Sequence, residues 1–156
     1  MIRMTRLTDY GIMLLTLFAR DAQHPMKSAR DLSREAKLPL PTVSKILKLL
    51  ARHGLLEAHR GVRGGFTLSR KPDAITMSEV IGALEGPIGV TDCCAPPSDC
   101  GIEKSCIVKS NWMKINRVVL EALNRITLAE MTHPIRLEST PVEWRGGSRL
   151  ATVQKG

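Results

Sequence analysis

Tyr10, Met13, Leu14, Leu17 and Phe18 recur at three- and four-residue spacing and form one apolar stripe. That pattern predicts a helix beginning at Asp9, with Thr8 as its cap and an acid in its first turn. Pro25 ends any continuation. Ser28-Ala-Arg-Asp31 reads as a second cap, opening a short helix through Ala36 with Ala29, Leu32 and Ala36 inward. Pro39 then breaks the chain direction, while Pro41 suits the first turn of a third helix, where its missing N–H costs nothing. Val43, Ile46, Leu47, Leu50 and Leu55 form the buried side of that helix and its exit. Thr42, Ser44, Lys45, Lys48 and Arg52 fall on other faces, and Gly54 suits the C-terminal cap.

The next segment alternates around glycines. Leu55 to Arg60 predicts a strand, Gly61 to Gly65 a turn, and Phe66 to Arg70 the returning strand, with Arg60 and Arg63 at the hairpin tip. Two short helices joined by a tight turn form a helix-turn-helix, and a basic hairpin after it reads as a wing. Either piece alone is common as ordinary core or solvated turn; the order and company of the two point to duplex DNA.

Charge supports that reading. The chain of 156 residues carries a formal charge of +8, and residues 1–72 hold 14 Lys and Arg against 5 Asp and Glu, a net of +9. Residues 73–156 hold 9 against 10, so all the excess positive charge lies in the first half. A basic module followed by a neutral one suits a polyanion on the first. Ser28, Pro41, Thr42, Ser44, Lys45, Lys48, Arg60 and Arg63 are the candidate DNA-contacting residues. Aromatic residues make up only 3%, namely Tyr10, Phe18, Phe66, Trp112 and Trp144, which disfavours a single-strand or RNA binder that needs stacking platforms.

Beyond residue 72, Thr76-Met-Ser-Glu79 forms a capping box opening a helix from Met77 to Glu85, stopped by Gly86-Pro87. Val108, Trp112, Ile115, Val119, Ala122 and Ile126 are spaced four, three, four, three and four apart, a heptad seam that predicts a long helix pairing with a second copy of the chain. Thr127-Leu-Ala-Glu130 caps a last short helix. Pro134, Pro141, Gly146 and Gly147 interrupt every later pattern, so 132–156 is expected to be a flexible tail. The expected organisation is therefore a winged helix-turn-helix over 1–72, a loop with dimerisation helices over 73–131, and that tail. The fold class is mostly α with a small β-hairpin.

All four cysteines fall within 14 residues, Cys93 to Cys106, on a loop broken by prolines and a glycine. The absence of a secretory signal or a membrane-length apolar run suggests a cytoplasmic setting, and there such a cluster suits metal or redox chemistry better than disulfides. Cys93, Cys100 and Cys106 are the widely spaced set; adjacent Cys94 cannot easily point the same way. Zinc would favour a tight Cys-x-x-Cys knuckle, which is missing, and a metal-free thiol switch needs only two cysteines. An iron–sulfur cluster tolerates an irregular loop of soft thiolates, although the spacing matches no general ferredoxin pattern.

These features together make the chain similar to the winged-helix iron–sulfur transcriptional regulators that include IscR and NsrR. The resemblance rests on Leu7-Thr-Asp-Tyr10, Arg60-Gly-x-x-Gly-Gly-Phe66, the cysteine triad and Ile126-Thr-Leu-Ala-Glu130, and it covers residues 1–131. Glu85-Gly-Pro-Ile88 and Asn111-Trp-x-x-Ile-Asn116 look closest to the proteobacterial regulators of the SUF cluster-assembly system. The resemblance implies a homodimer with crossing long helices and a repressor of cluster-assembly genes that senses iron–sulfur status. It places Thr42, Ser44 and Lys45 on the major-groove face, Arg60 in the minor groove, and Cys93, Cys100 and Cys106 on the cluster.

One departure matters. IscR-like members carry a histidine ligand three residues after the last cysteine, where this chain has Lys109. In some NsrR-like members a carboxylate from the partner's first helix completes the cluster, and Asp9 stands at that position. Asp9 also reads as an ordinary first-turn acid, and Cys94 or Asp99 are further alternatives for the fourth ligand. A 2Fe-2S form is favoured and a 4Fe-4S form stays open. A nitric-oxide or redox-sensing repressor of the same fold, or a zinc-stabilised DNA-binding regulator, is the alternative function.

An enzyme or electron carrier is the competing class. The chain has no Gly-rich phosphate loop, no paired-carboxylate site and no nucleophile–base pair, and its four histidines, His24, His53, His59 and His133, are scattered. A carrier has no use for a basic half with a wing. The expected partners are thus an operator duplex and a second copy, with no small-molecule substrate and no membrane.

Overall fold

The structure is a computed structural model, and it describes residues 4–21, 23, 25–95, 97–98 and 100–133. Helix α1 runs Arg6–Arg20, α2 Ala29–Ala36 and α3 Leu40–Arg52. Strands β1 (Leu56–His59) and β2 (Gly65–Leu68) follow, then a 3-10 turn at Pro72–Ala74, α4 (Met77–Glu85), a second 3-10 turn at Asp92–Cys94, α5 (Lys109–Arg125) and α6 (Leu128–Met131). This is the mostly helical winged-helix architecture with one small hairpin. No described helix is long and apolar enough to cross a membrane.

The start of the first helix differs from the expectation. Thr5 is the N-cap, its hydroxyl accepting from the Thr8 amide, and Asp9 sits inside the first turn rather than opening the helix. Thr8 is fully buried, and its hydroxyl donates to Glu85 Oε1, which also accepts from the Thr5 amide at 2.9 Å. A carboxylate from the end of α4 thus sits at the positive end of α1, where a helix dipole favours it. The Thr8 hydroxyl holds the Glu85 carboxyl below its ordinary value.

The core is one cluster. It draws Leu14, Leu15 and Phe18 from α1, Leu32 from α2, and Val43, Ile46, Leu47 and Leu50 from α3. Leu55 and Leu56 lead into the hairpin, and Ile75, Met77, Val80, Ile81, Ala83 and Leu84 at and along α4 and Leu128 of α6 complete it. Helix α1 is covered over a wider face than its stripe suggested: Leu15 is fully buried, while Met13 stays 36% exposed. Gly11 lies so close to α4 that a methyl group there would overlap the Leu84 side chain.

Caps and turns fall where composition places them. Ser28 caps α2, and α4 and α6 both open on complete capping boxes, Thr76 with Glu79 and Thr127 with Glu130. Burial disfavours the Glu79 charge, but the Thr76 amide and Arg70 outweigh it and hold that carboxyl below its usual range. The two boxes are adjacent in space: the Met77 amide donates to Ile126 O at 2.9 Å and the Leu128 amide to Ile75 O at 2.8 Å. Helix α3 ends in a Schellman arrangement, with Leu55 N donating to Leu50 O at 3.0 Å, Gly54 N to Ala51 O at 3.1 Å, and Gly54 at φ +72°.

Candidate nucleic-acid interface and cysteine loop

Helices α2 and α3 are joined by the three residues Lys37, Leu38 and Pro39. Lys37 takes the left-handed conformation, φ 54°, so that its amide and that of Leu38 close the end of α2 on Arg34 O and Ser33 O. The turn is tightened by Ser33, whose hydroxyl donates to Leu38 O at 2.6 Å. Pro41 lies in the first turn of α3, as the sequence predicts. With Val43, Ile46, Leu47 and Leu50 buried, the outer surface of α3 carries exposed Pro41, Lys45, Lys48 and Arg52 and half-buried Thr42 and Ser44. This helix has no carboxylate along its length. Such a face, short polar groups flanked by cations, suits the edge of a base pair and the phosphates beside it.

Ser28 is placed differently. Its hydroxyl accepts from the Asp31 amide at 3.2 Å and donates to Asp31 Oδ2 at 2.6 Å, which holds the Asp31 carboxyl below its usual range. The hydroxyl therefore serves the α2 cap, and what it leaves facing outward is the positive end of a short helix.

The wing is shorter than the expected strands, four residues on each side, in the register Leu56↔Leu68, Glu57↔Thr67, Ala58↔Phe66 and His59↔Gly65. Its tip turns on Gly61, φ +118°, with the Gly64 amide donating to Gly61 O at 2.9 Å; Arg60, Val62 and Arg63 are exposed there. A third short segment joins the sheet: Lys27 and Phe66 exchange two backbone hydrogen bonds of 2.9 and 3.0 Å. Gly65 allows that approach, since a Cβ there would lie 2.7 Å from Lys27 O. The Lys27 ammonium bonds Asp21 at 3.0 Å and Glu35 at 3.5 Å. Burial disfavours its charge, but the two carboxylates outweigh that and hold its pKa above the usual lysine value. The wing root is thereby tied to the end of α1 and to α2.

The cysteine loop runs from the end of α4 to the start of α5. Cys93, Cys100 and Cys106 are partly exposed, whereas Cys94 is buried beside Met113 and Leu120 of α5; all four are free thiols. Thr91 Oγ1 lies 3.2 Å from both Cys93 Sγ and Cys94 Sγ. Lys109 begins α5, and its ammonium bonds Glu103 at 2.7 Å. Glu103 foremost, with smaller contributions from Cys93 and Cys106, raises the Lys109 pKa. Asp9 is exposed on α1, and Asp99 lies outside the described residues.

Three soft sulfur donors on a loop free of regular structure are the chemistry an iron–sulfur cluster takes. Among the described residues, however, no three His, Cys, Asp or Glu side chains of one chain converge closely enough to hold a metal ion. The donor types fit a cluster.

Helix α5 confirms the predicted span and leaves the first half of its seam open, while Val119 is half-buried and Ile126 packs on the core. Val108, Trp112 and Ile115 are 41%, 38% and 46% exposed, and Val118 beside them is 58% exposed. The one buried residue of the helix is Asn116, whose side-chain carbonyl accepts from the Val90 amide at 3.0 Å and whose amide group donates to Ile88 O at 3.5 Å. Asn116 thus fastens the loop's first residues to α5. Local spacing pointed to neither this role nor those of Lys27 and Glu85; each joins positions far apart in the chain.

The comparisons with known proteins agree with this geometry. A model of the Rrf2 family, iron-dependent transcriptional regulators, matches residues 4–134. The transcriptional regulator IscR of Erwinia tasmaniensis is 30% identical over 132 residues, covering 82% of this chain and 79% of that protein. Among solved structures, CymR, the global cysteine regulator of Bacillus subtilis, superposes with a TM-score of 0.66 at 26% identity, over 85% of this chain and 97% of that one. IscR of T. potens gives 0.61 at 25% identity, over 83% and 85%. A winged helix-turn-helix with this much of its length matched is not an enzyme scaffold with a basic face: the chain belongs to the Rrf2 family of transcriptional regulators.

Proposed function

We propose that this regulator is a homodimeric repressor of iron–sulfur cluster-assembly genes, with operator occupancy governed by a cluster bound at Cys93, Cys100 and Cys106. In this reading residues 1–72 read the operator and residues 73–131 sense and pair. The observation that carries it is the sorting of the four thiols: the three widely spaced ones are accessible on the loop, and the fourth is packed away against α5. In this reading the partner subunit's Asp9 supplies the fourth position, because Lys109 stands where a histidine ligand would be. When bound, the cluster supplies a site whose occupancy depends on iron, oxidants and nitric oxide.

The chain's own residues do the rest. Thr42, Ser44 and Lys45 face the major groove, Pro41 and Lys48 flank them, and Ser28 sets the end of α2 against the backbone. Arg60 and Arg63 carry the wing to the adjacent minor groove. The uncovered seam from Val108 to Val118 packs on its counterpart in a second copy, which fixes the separation of the two α3 helices. Cys93, Cys100 and Cys106 would hold the cluster, and the arrangement of loop and helix they adopt around it would suit half-sites about one helical turn apart.

The test is iron, sulfide and zinc content per chain with a visible spectrum on anaerobically purified protein, repeated for Cys100→Ala and Asp9→Ala. Near-equal iron and sulfide with charge-transfer bands, lost in Cys100→Ala while the chain stays folded, supports the reading. Zinc without sulfide or colour replaces it with a zinc-stabilised regulator whose signal lies elsewhere.

A further inference from the structure

Lys27 lies between α1 and α2, and its side chain is only 12% exposed. Covering a cation is costly, and an apolar side chain would fill the same space without that cost. The ammonium stands 3.0 Å from Asp21 Oδ2 and 3.5 Å from Glu35 Oε2, on side chains that are themselves 32% and 47% exposed. Carboxylates that open to water gain little stability from such bonds. What the bonds supply is direction, since they fix where the Lys27 main chain stands against the last turn of α2.

That main chain carries the wing. The Lys27 amide donates to Phe66 O and the Phe66 amide to Lys27 O, and Gly65 beside them has no side chain to hold the two segments apart. Helix α2 in turn packs on α3, and Ser33 ties it to the turn that leads there. Lys27 is thus where two parts of the DNA reader meet, its side chain on the α2 side and its main chain on the wing. We propose that Lys27 is a positioning residue for operator binding, setting the bearing of the wing arginines relative to the outer face of α3 so that both grooves are met at once. The inference rests on the reading that the wing enters the minor groove. Arg63 lies three residues from Phe66, up to about 10 Å along the chain, so a tilt of about 10° at the Lys27 bridge moves the tip by about 2 Å. Hydrogen-bond lengths range over only about 0.5 Å, so a shift of that size loses the contact. A bridge held by its main-chain bonds alone would be indifferent to the side chain, and that difference can be measured.

The probe is a duplex that the full parent chain selects from a randomised pool, with binding read by fluorescence anisotropy and folding by circular dichroism. Lys27→Met should weaken binding several-fold and relax base preference at the same positions as Arg60→Ala; Lys27→Arg should restore both. The chain carrying Lys27→Met together with Arg60→Ala should bind no more weakly than Arg60→Ala alone, because both changes act through one wing. Effects that add in full, with base preference unchanged in Lys27→Met, overturn the proposal and leave the lysine a purely structural part. Unchanged binding by Lys27→Met while Arg60→Ala weakens it also overturns the proposal, and leaves the wing reading intact. Arg60→Ala without effect removes the wing reading and the proposal together. Where Lys27→Met fails to fold, Glu35→Gln decides on the same readouts. Removing a carboxylate near a basic face strengthens DNA binding by charge alone, so a loss of affinity and preference there is positional.

Discussion

Along α3, Val43, Ile46, Leu47 and Leu50 are all fully covered by the chain's own residues; along α5, Trp112, Ile115 and Val118 remain 38%, 46% and 58% exposed, and the one buried residue is polar. Both helices show apolar periodicity in the sequence, and both form where it places them. Periodicity says that a face needs covering without saying by what. The reading half encloses its apolar face and turns cations outward, so its shape is complete in one chain. In the proposed function the half beyond residue 72 is completed from outside, by a second copy along the seam and by a cluster in the loop.

The sharpest way to break that contrast is to damage each helix in turn. Leu47→Ala removes a fully buried side chain and should lower folding stability by about 2–5 kcal/mol in denaturant titration. Ile115→Glu should leave the unfolding of the reading half within about 0.5 kcal/mol of the parent, while shifting sedimentation towards the monomer. An Ile115→Glu chain that unfolds like Leu47→Ala would show that α5 is covered within one chain after all.

A smaller effect separates reading from pairing. Arg60→Ala should weaken operator binding by about 1–3 kcal/mol without changing sedimentation. Unchanged affinity and unchanged sequence preference would take Arg60 out of the interface. Smaller still is the turn between α2 and α3: Lys37→Gly relieves a left-handed backbone and should stabilise the chain by about 0.5–1 kcal/mol. A loss of stability there would mean the lysine side chain holds the turn.

The smallest effect lies where the two regions touch. The Thr8 hydroxyl keeps Glu85 ionised below its ordinary pKa of 4.5. A depressed folded-state pKa contributes stability above the unfolded value, lost as pH falls through the folded one. Thr8→Val should therefore flatten the fall in stability below about pH 4.5 and leave the alkaline side unchanged; an identical acid limb in both chains would remove Glu85 from the account.

Legibility in the sequence followed the range of the interaction. Ser28, Pro41, Gly54 and the boxes at Thr76 and Thr127 could be read because each cap is settled within a turn of helix, by residue types that compete for local backbone groups. Thr8 was misassigned as a cap for the same reason: a threonine before an acid looks local, yet its partner is Glu85. Lys27 joining the wing, Leu15 being buried, Gly11 facing α4, and Asn116 holding Val90 all depend on which surfaces meet, and spacing along one element carries no record of that. In the candidate site the face of α3 and the exposed wing tip were legible, and so was the separation of Cys94 from the other three cysteines. The occupation of the Ser28 hydroxyl by Asp31 and of Lys109 by Glu103 was not.

The two fastenings of α5 have a geometric consequence. Asn116 holds the helix to the segment entering the cysteine loop, and Ile126 holds its end to the start of α4. Ten residues of helix separate these points, an arm of about 15 Å. A beam supported at two points takes its bearing from both, so a 1 Å displacement of the Asn116 support turns it by about 4° on that arm. In the proposed homodimer twofold symmetry repeats the turn in the other subunit, and the relative bearing of the two α3 helices changes by about twice as much. In that proposed dimer one amide side chain sets the gearing between a small adjustment in a loop and the angle at which two distant helices meet a duplex.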